Sequence, residues 1–138
     1  MESFTGLLNG FAFLVSPNNL IALVAGVFLG TVVGVLPGLG PIGAMAILLP
    51  ISFQMEATAA LILMAGIFYG AQYGGSTTSI LMNIPGESTS VVTCIDGYQM
   101  TKRGRAGAAL TVSAVGSFIA GTIAVVLLMI FAPILGQF

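Results

Sequence analysis

The sequence predicts an all-α protein, a polytopic membrane helix bundle with about three main spans and two short arms where helices break or re-enter. Three observations lead there. Hydrophobic residues make up 57% of the chain and charged residues 5%, with a mean hydropathy of +1.12, whereas about a quarter of a soluble domain is charged. Apolar runs close to bilayer length recur along the chain. The Gly-, Pro- and hydroxyl-rich stretches between them carry little charge, so helices stop without a marked exit to water. Irregular backbone at membrane depth survives only where protein or a watery cavity surrounds it.

The elements follow in order. Leu7 to Val15 is apolar but short and reads as an interfacial helix, ended by Ser16-Pro17-Asn18-Asn19. Asn18 or Asn19 can cap the next helix, because their side chains accept orphan N–H bonds. Leu20 to Leu36 is the first span, roughly 25 Å long at 1.5 Å per residue. It stops at Pro37-Gly38-Leu39-Gly40-Pro41, which cannot continue a helix. The chain turns apolar again from Ile42 to Phe53, which predicts a re-entrant arm. Gln54-Met55-Glu56 is polar punctuation. Ala57 to Tyr69 is the next run, and the stretch from Gly74 to Gly86 is expected to break it. A new helix is expected to start at Ser76–Ser79, with Ile80 to Ile84 as a second short arm. Ser88 to Gly104 reads as a loop with room for one short interfacial helix. Ala106 to Phe131 is long enough for a tilted span, and Pro133 and Gly136 end it.

Two glycine ladders accompany the breaks. Gly26, Gly30 and Gly34 precede the Pro-Gly break, and Gly66, Gly70 and Gly74 precede the Ser/Thr stretch. Glycines four apart share one helix face and let another backbone approach closely. A ladder followed by a break, twice, is the pattern of discontinuous helices that build transporter sites. Tight helix packing alone explains the glycines equally well. In the last span Ala109, Ser113, Ser117 and Gly121 keep the same spacing, as do Gly116, Ala120 and Ala124. That helix is expected to pack closely on two sides.

Composition also excludes functions. There is no His, so His acid/base chemistry and His metal sites are absent from the chain. The single Cys94 cannot form an internal disulfide or a metal cluster. No nucleophile is paired with a base and no phosphate loop carries a Lys, which argues against an enzyme. Three basic residues, Lys102, Arg103 and Arg105, lie together; they cannot form the broad basic face that nucleic acid needs. In a membrane chain such a cluster marks a cytoplasmic loop. No basic segment opens the chain, so no cleaved signal peptide is expected and its own helices hold it in the membrane.

The two breaks suggest opposite chemistry. Ser76, Thr77, Thr78 and Ser79 can each donate and accept hydrogen bonds. A helix starting there would add free N–H groups and a partial positive charge, which suits an anion such as a carboxylate. The candidate substrate-binding set is Gly75, Ser76, Thr77, Thr78, Ser79, Asn83, Pro85 and Gly86. The competing reading bonds the hydroxyls back to helix carbonyls. At the other break the carbonyls at the end of the first span are freed. The backbone of Pro37, Gly38, Leu39 and Gly40 is therefore a candidate site for a coupling ion, Na⁺ or H⁺. No other cofactor and no metal site is expected. Glu56, Glu87 and Asp96 lie at predicted edges or loops and are weak candidates for a proton relay.

These same segments resemble the TctA family, the large permease subunit of tripartite tricarboxylate transporters. The resemblance rests on Gly34-Val-Leu-Pro-Gly-Leu-Gly-Pro41, on the long run from Tyr73 to Glu87, on Asp96-Gly-Tyr98 and on Gly104-Arg-Ala-Gly107. It extends along nearly the whole chain, and the long run is its specific part. It implies a multi-pass bacterial inner-membrane permease that takes up di- and tricarboxylates, driven by an ion gradient. It implies as partners a small TctB-like membrane subunit and a periplasmic TctC-like solute-binding protein. Family permeases are much longer and have two related halves, so residues 1–138 match the N-terminal part and the remaining permease is a further partner. An alternative keeps the chain as a non-transporting structural membrane subunit that packs with other helices through its glycine ladders; a channel pore is a third reading.

Overall fold

The computed structural model describes residues 2–135. It contains six α-helices: α1 (Glu2–Leu14), α2 (Pro17–Gly34), α3 (Gly40–Ser52), α4 (Ala57–Met82), α5 (Val91–Lys102) and α6 (Ala106–Leu135), with one 3₁₀ turn at Ser88–Ser90. Among the described residues there is no strand. Among the described residues three helices are long and apolar enough to cross a membrane: α2, α4 and the Ala106–Phe131 part of α6.

Helix α2 begins earlier than its apolar run, because Pro17 fits the first turn, where its missing N–H costs nothing. Ser16 holds the N-cap position without a side-chain bond. Asn19 therefore does not cap; its amide donates to the Phe13 carbonyl at 2.8 Å and ties α1 to α2. The break after Gly34 falls where the prolines and glycines required it, and α3 matches the expected short arm.

The glycine ladders face one another. A methyl added to Gly26, Gly30 or Gly34 would strike the backbone of Leu63, Ile67 or Ala71, respectively. One added to Gly70 would meet Thr31 N at 2.9 Å, and one on Gly74 would meet Val35 N at 2.9 Å. Residue numbers rise together on both sides of this seam, so α2 and α4 run parallel. The intervening α3 must then carry the chain back to the level at which α2 began. The buried core is correspondingly made mostly of small residues, with Ala22, Ala44, Ala59 and Ala71 around Leu63 and Ile67. Large apolar side chains point outward instead, Phe118 at 76% exposure and Ile42 at 80% among them. This is the inverse of a soluble core and suits a lipid surround.

Two expectations are corrected. Helix α4 does not break at Gly74–Ser79; it runs unbroken for 26 residues to Met82. Gly74 and Gly75 each cost a helix about 1 kcal/mol relative to Ala. Close backbone packing offsets that cost, since Gly74 seats against α2 and Gly75 against Gly86. The helix ends instead at Asn83, which adopts a left-handed conformation (φ 59°), a C-terminal stop that Asn tolerates. Second, α6 does not pack on two sides within this chain. Ala109 is buried near its start, but no residue of its most apolar stretch is, and Gly116 and Gly121 face open space.

Candidate functional site

The two Pro-Gly segments meet. After Asn83 the chain doubles back along α4, and Gly86 comes to rest against the Cα of Gly75. The fit requires a glycine at position 86, where a methyl would collide with Gly75; one on Gly75 would lie 3.4 Å from the Gly86 Cα, a close but ordinary contact. From the other break, the Gly38 N–H donates to the Gly86 carbonyl at 3.3 Å. Gly38 (φ 85°) and Gly40 (φ 60°) adopt left-handed backbone, which lets the α2–α3 turn lie this close.

Between the segments lies a groove of about 440 Å³. One wall runs from Gly38 to Ile42 and the other from Pro85 to Ser88, with Val91 of α5 at its edge. Its single charged lining residue is Glu87, half-buried, whose Cβ would stand 3.5 Å from a methyl on Gly40. Ser90 fixes the backbone there. Its hydroxyl donates to the Glu87 carbonyl at 2.9 Å and accepts from the Glu87 N–H at 3.2 Å.

Of the residues expected to bind an anion, Pro85 and Gly86 line the groove, and Gly75 supports it from behind. The hydroxyls do not frame a helix start. Thr77 donates to the Tyr73 carbonyl at 2.9 Å and Ser79 to that of Gly75 at 2.9 Å, four residues back. Thr78, buried, donates to Gly74 at 3.2 Å and across to the Val35 carbonyl at 3.0 Å. In the helix interior the N–H groups of these residues serve the helix itself, so the expected N-terminal anion site is absent at Ser76–Ser79. Ser76 is half-buried and Asn83 exposed. Gln72 and Ser76, four residues apart, share one face of α4, and Asn83 stands at its left-handed end.

At the other break Gly38, Leu39 and Gly40 line the groove, but Pro37 does not. Not all of the freed carbonyls stay free: that of Val35 accepts from Thr78, and that of Leu39 accepts from the Gly43 N–H at 3.2 Å. Pro41, Ile42, Ser88 and Val91 were not among the expected site residues, because only the folding-back of the 83–87 loop brings them together. The sole sequence hint for Glu87 was its position directly after Pro85-Gly86. Lys102, Arg103 and Arg105 lie at or just beyond the far end of α5 and are exposed. Lys102 sits over the Tyr98 ring, 4.9 Å from its centroid.

A family model described as the tripartite tricarboxylate transporter TctA family matches residues 20–138. The chain belongs to the TctA family. The match begins inside α2 and includes both broken segments and the groove between them. The family comprises transporter permeases rather than enzymes, in keeping with the lack of any paired nucleophile and base. A curated relative is 55% identical over 133 residues, 96% of this chain; it is described as "Uncharacterized 52.8 kDa protein in TAR-I ttuC' 3'region", from Agrobacterium vitis. The chain spans 26% of that relative's length. No solved structure matches the chain. Membership of this family, with the three apolar helices, makes this a membrane protein.

Proposed function

We infer that the chain is the N-terminal part of a permease that takes up di- and tricarboxylates across the bacterial inner membrane, coupled to an ion gradient. In this reading it works with the rest of the permease, a small TctB-like membrane subunit and a periplasmic TctC-like binding protein. The loop around Lys102–Arg105 faces the cytoplasm, as its basic residues favour. The observation that carries the reading is the meeting of the α2–α3 break and the Pro-Gly loop after α4 at one groove, held by the Gly38–Gly86 hydrogen bond. Discontinuous helical segments of this kind supply solute and ion sites in secondary transporters.

The substrate-binding role is narrowed accordingly. Backbone of Pro85 and Gly86, with Ser76 of α4 and Asn83 just beyond its end, forms this chain's share of the carboxylate site. Gly75, Thr78 and Ser79 hold the scaffold, and Thr77 stands beside it. The backbone at Gly38 and Gly40 contributes to the ion site. The purely structural alternative is less well supported, because the ladders it relied on are already used within the chain, α2 against α4.

The test is uptake of labelled citrate and related acids into vesicles containing the full-length permease and its partners. Wild type should accumulate at least one carboxylate, and a Ser76→Val, Asn83→Ala double variant should lose at least roughly tenfold in uptake, the scale of a single lost hydrogen bond to a charge. Failure of wild type to take up any carboxylate would sink the function; undiminished uptake by the variant would sink the site.

A further inference from the structure

We propose that Gln72 is a specificity-determining residue of the carboxylate site, its amide acting with Ser76 to select substrates that carry a hydroxyl beside a carboxylate. This deepens the transport reading above and rests on it.

Depth is the first argument. The midpoint of α4 falls between Tyr69 and Gly70, and Gln72 lies about 4 Å beyond it along the axis. At 26 residues α4 is about 39 Å long, so a bilayer core of roughly 30 Å encloses Gln72 from both ends. Polar groups at that depth need partners, because lipid supplies none. The neighbouring hydroxyls find theirs locally: Thr77, Thr78 and Ser79 each donate to the carbonyl four residues back. Ser76 belongs to the same run but makes no side-chain hydrogen bond among the described residues, and neither does the Gln72 amide. Both are half-buried, one turn apart on one face.

The surroundings are the second argument. One turn before Gln72, Phe68 and Tyr69 stand edge to face with ring centroids 5.7 Å apart, and both are exposed. One turn after it, Gly75 seats Gly86 of the Pro-Gly loop. Amide and hydroxyl thus lie between an aromatic ledge and the loop already assigned to the site. Helices that hydrogen-bond one another favour small residues at the contact. α4 turns its small residues, Gly66, Gly70 and Gly74, toward α2 instead. The aromatic ledge holds another backbone away from Gln72 and keeps room for a solute. Aromatic walls with a few placed polar groups are the usual make-up of a small-molecule site.

Chemistry sets the ligand. An amide both donates and accepts, whereas a carboxylate only accepts. A carboxylate alone would leave the Gln72 oxygen unpaired. A hydroxyl on the adjacent carbon donates to that oxygen, while the carboxylate accepts from the amide N–H and the Ser76 hydroxyl. A site that bonds a substrate hydroxyl rejects the analogue lacking it, since its own polar group is then left unpaired.

The experiment is thermal unfolding of the purified full-length permease in detergent, titrated with two matched pairs: citrate against tricarballylate, and malate against succinate. The second member of each pair lacks the hydroxyl. A ligand that binds only the folded state raises Tm with its concentration. In wild type the hydroxylated member should reach its midpoint at a roughly tenfold lower concentration, the scale of one buried acceptor left unpaired. Gln72→Met, similar in size but without the amide, should bring that ratio close to one. Gln72→Asn keeps an amide on a shorter stem and should reduce the ratio in smaller measure. A bond from Gln72 to another helix would predict a lower Tm without ligand and an unchanged ratio. An unchanged ratio in both variants, or no preference in wild type, would overturn the assignment and leave the carboxylate reading standing. No stabilisation of wild type by any of the four acids would overturn both.

Discussion

Replacing Gly30 by Ala should destabilise the protein, although the same change at Gly116 should not. Both glycines lie in helices, and both belong to small-residue patterns with four-residue spacing. The difference is what a new methyl would meet. At Gly30 it would lie 2.7 Å from the Cα of Ile67 and 2.8 Å from its carbonyl carbon, and closer still to the oxygen. Carbon atoms prefer about 3.5–4.0 Å. The obstacle is backbone and cannot rotate away, so α2 and α4 must part by about 1 Å. A gap of that size forfeits a quarter to a half of the attraction between facing atoms, along the seam that joins the two parallel helices. Overpacking of this kind costs about 1–3 kcal/mol, and the upper end applies to a backbone obstacle. Alanine's better helix propensity returns about 1 kcal/mol, leaving a net loss of about 2 kcal/mol. At Gly116 nothing lies within 4 Å, so only the propensity gain remains. Thermal unfolding of both variants in one detergent reads the difference directly. A Gly30→Ala protein as stable as wild type, or equal losses in both variants, would refute the parallel seam.

Two further predictions concern the break and the orientation. Thr78→Val keeps the shape of the side chain but leaves the Val35 carbonyl without its hydroxyl donor, and should cost about 1–3 kcal/mol; Thr77→Val removes only a bond back to Tyr73 and should stay within about 0.5 kcal/mol. Equal unfolding temperatures for the two variants would count against the tie between α4 and the end of α2. For topology, Arg103→Cys in a Cys94→Ser background should react with an impermeant thiol reagent only in inside-out vesicles; labelling in intact spheroplasts would reverse the orientation.

Much of the path was legible residue by residue. Pro37 to Pro41 had to end a helix, because two missing N–H groups and two glycines admit no continuation there. The apolar runs around Val27, Leu63 and Val125 had to be buried in protein or lipid. The candidate site was less legible. Ser76 to Ser79 beside two glycines reads locally as a break, and the hydroxyls do what a break would not, bonding back to carbonyls four residues earlier. Local preference lost to a tertiary contact, since α2 stacks on Gly66, Gly70 and Gly74 and holds the helix straight. Glu87 was read as an edge residue for the same reason: nothing adjacent to it in sequence reveals that Gly86 will seat on Gly75.

The sequence by itself determined the membrane class, the three long spans, the Pro-Gly break and the four-residue spacing of the glycines. Each follows from composition or from a helix period that links residues only a turn or two apart. The tertiary structure alone decided that the two ladders face each other in parallel, that α4 continues through its hydroxyl run, and that both Pro-Gly segments share a groove with Glu87. Those outcomes rest on contacts between residues some 35 to 50 positions apart, such as Gly30 with Ile67 and Gly38 with Gly86. A glycine face fits any backbone that can approach it. Which backbone does so is settled by where the chain turns and how far α3 carries it back, and neither distance is written in local spacing.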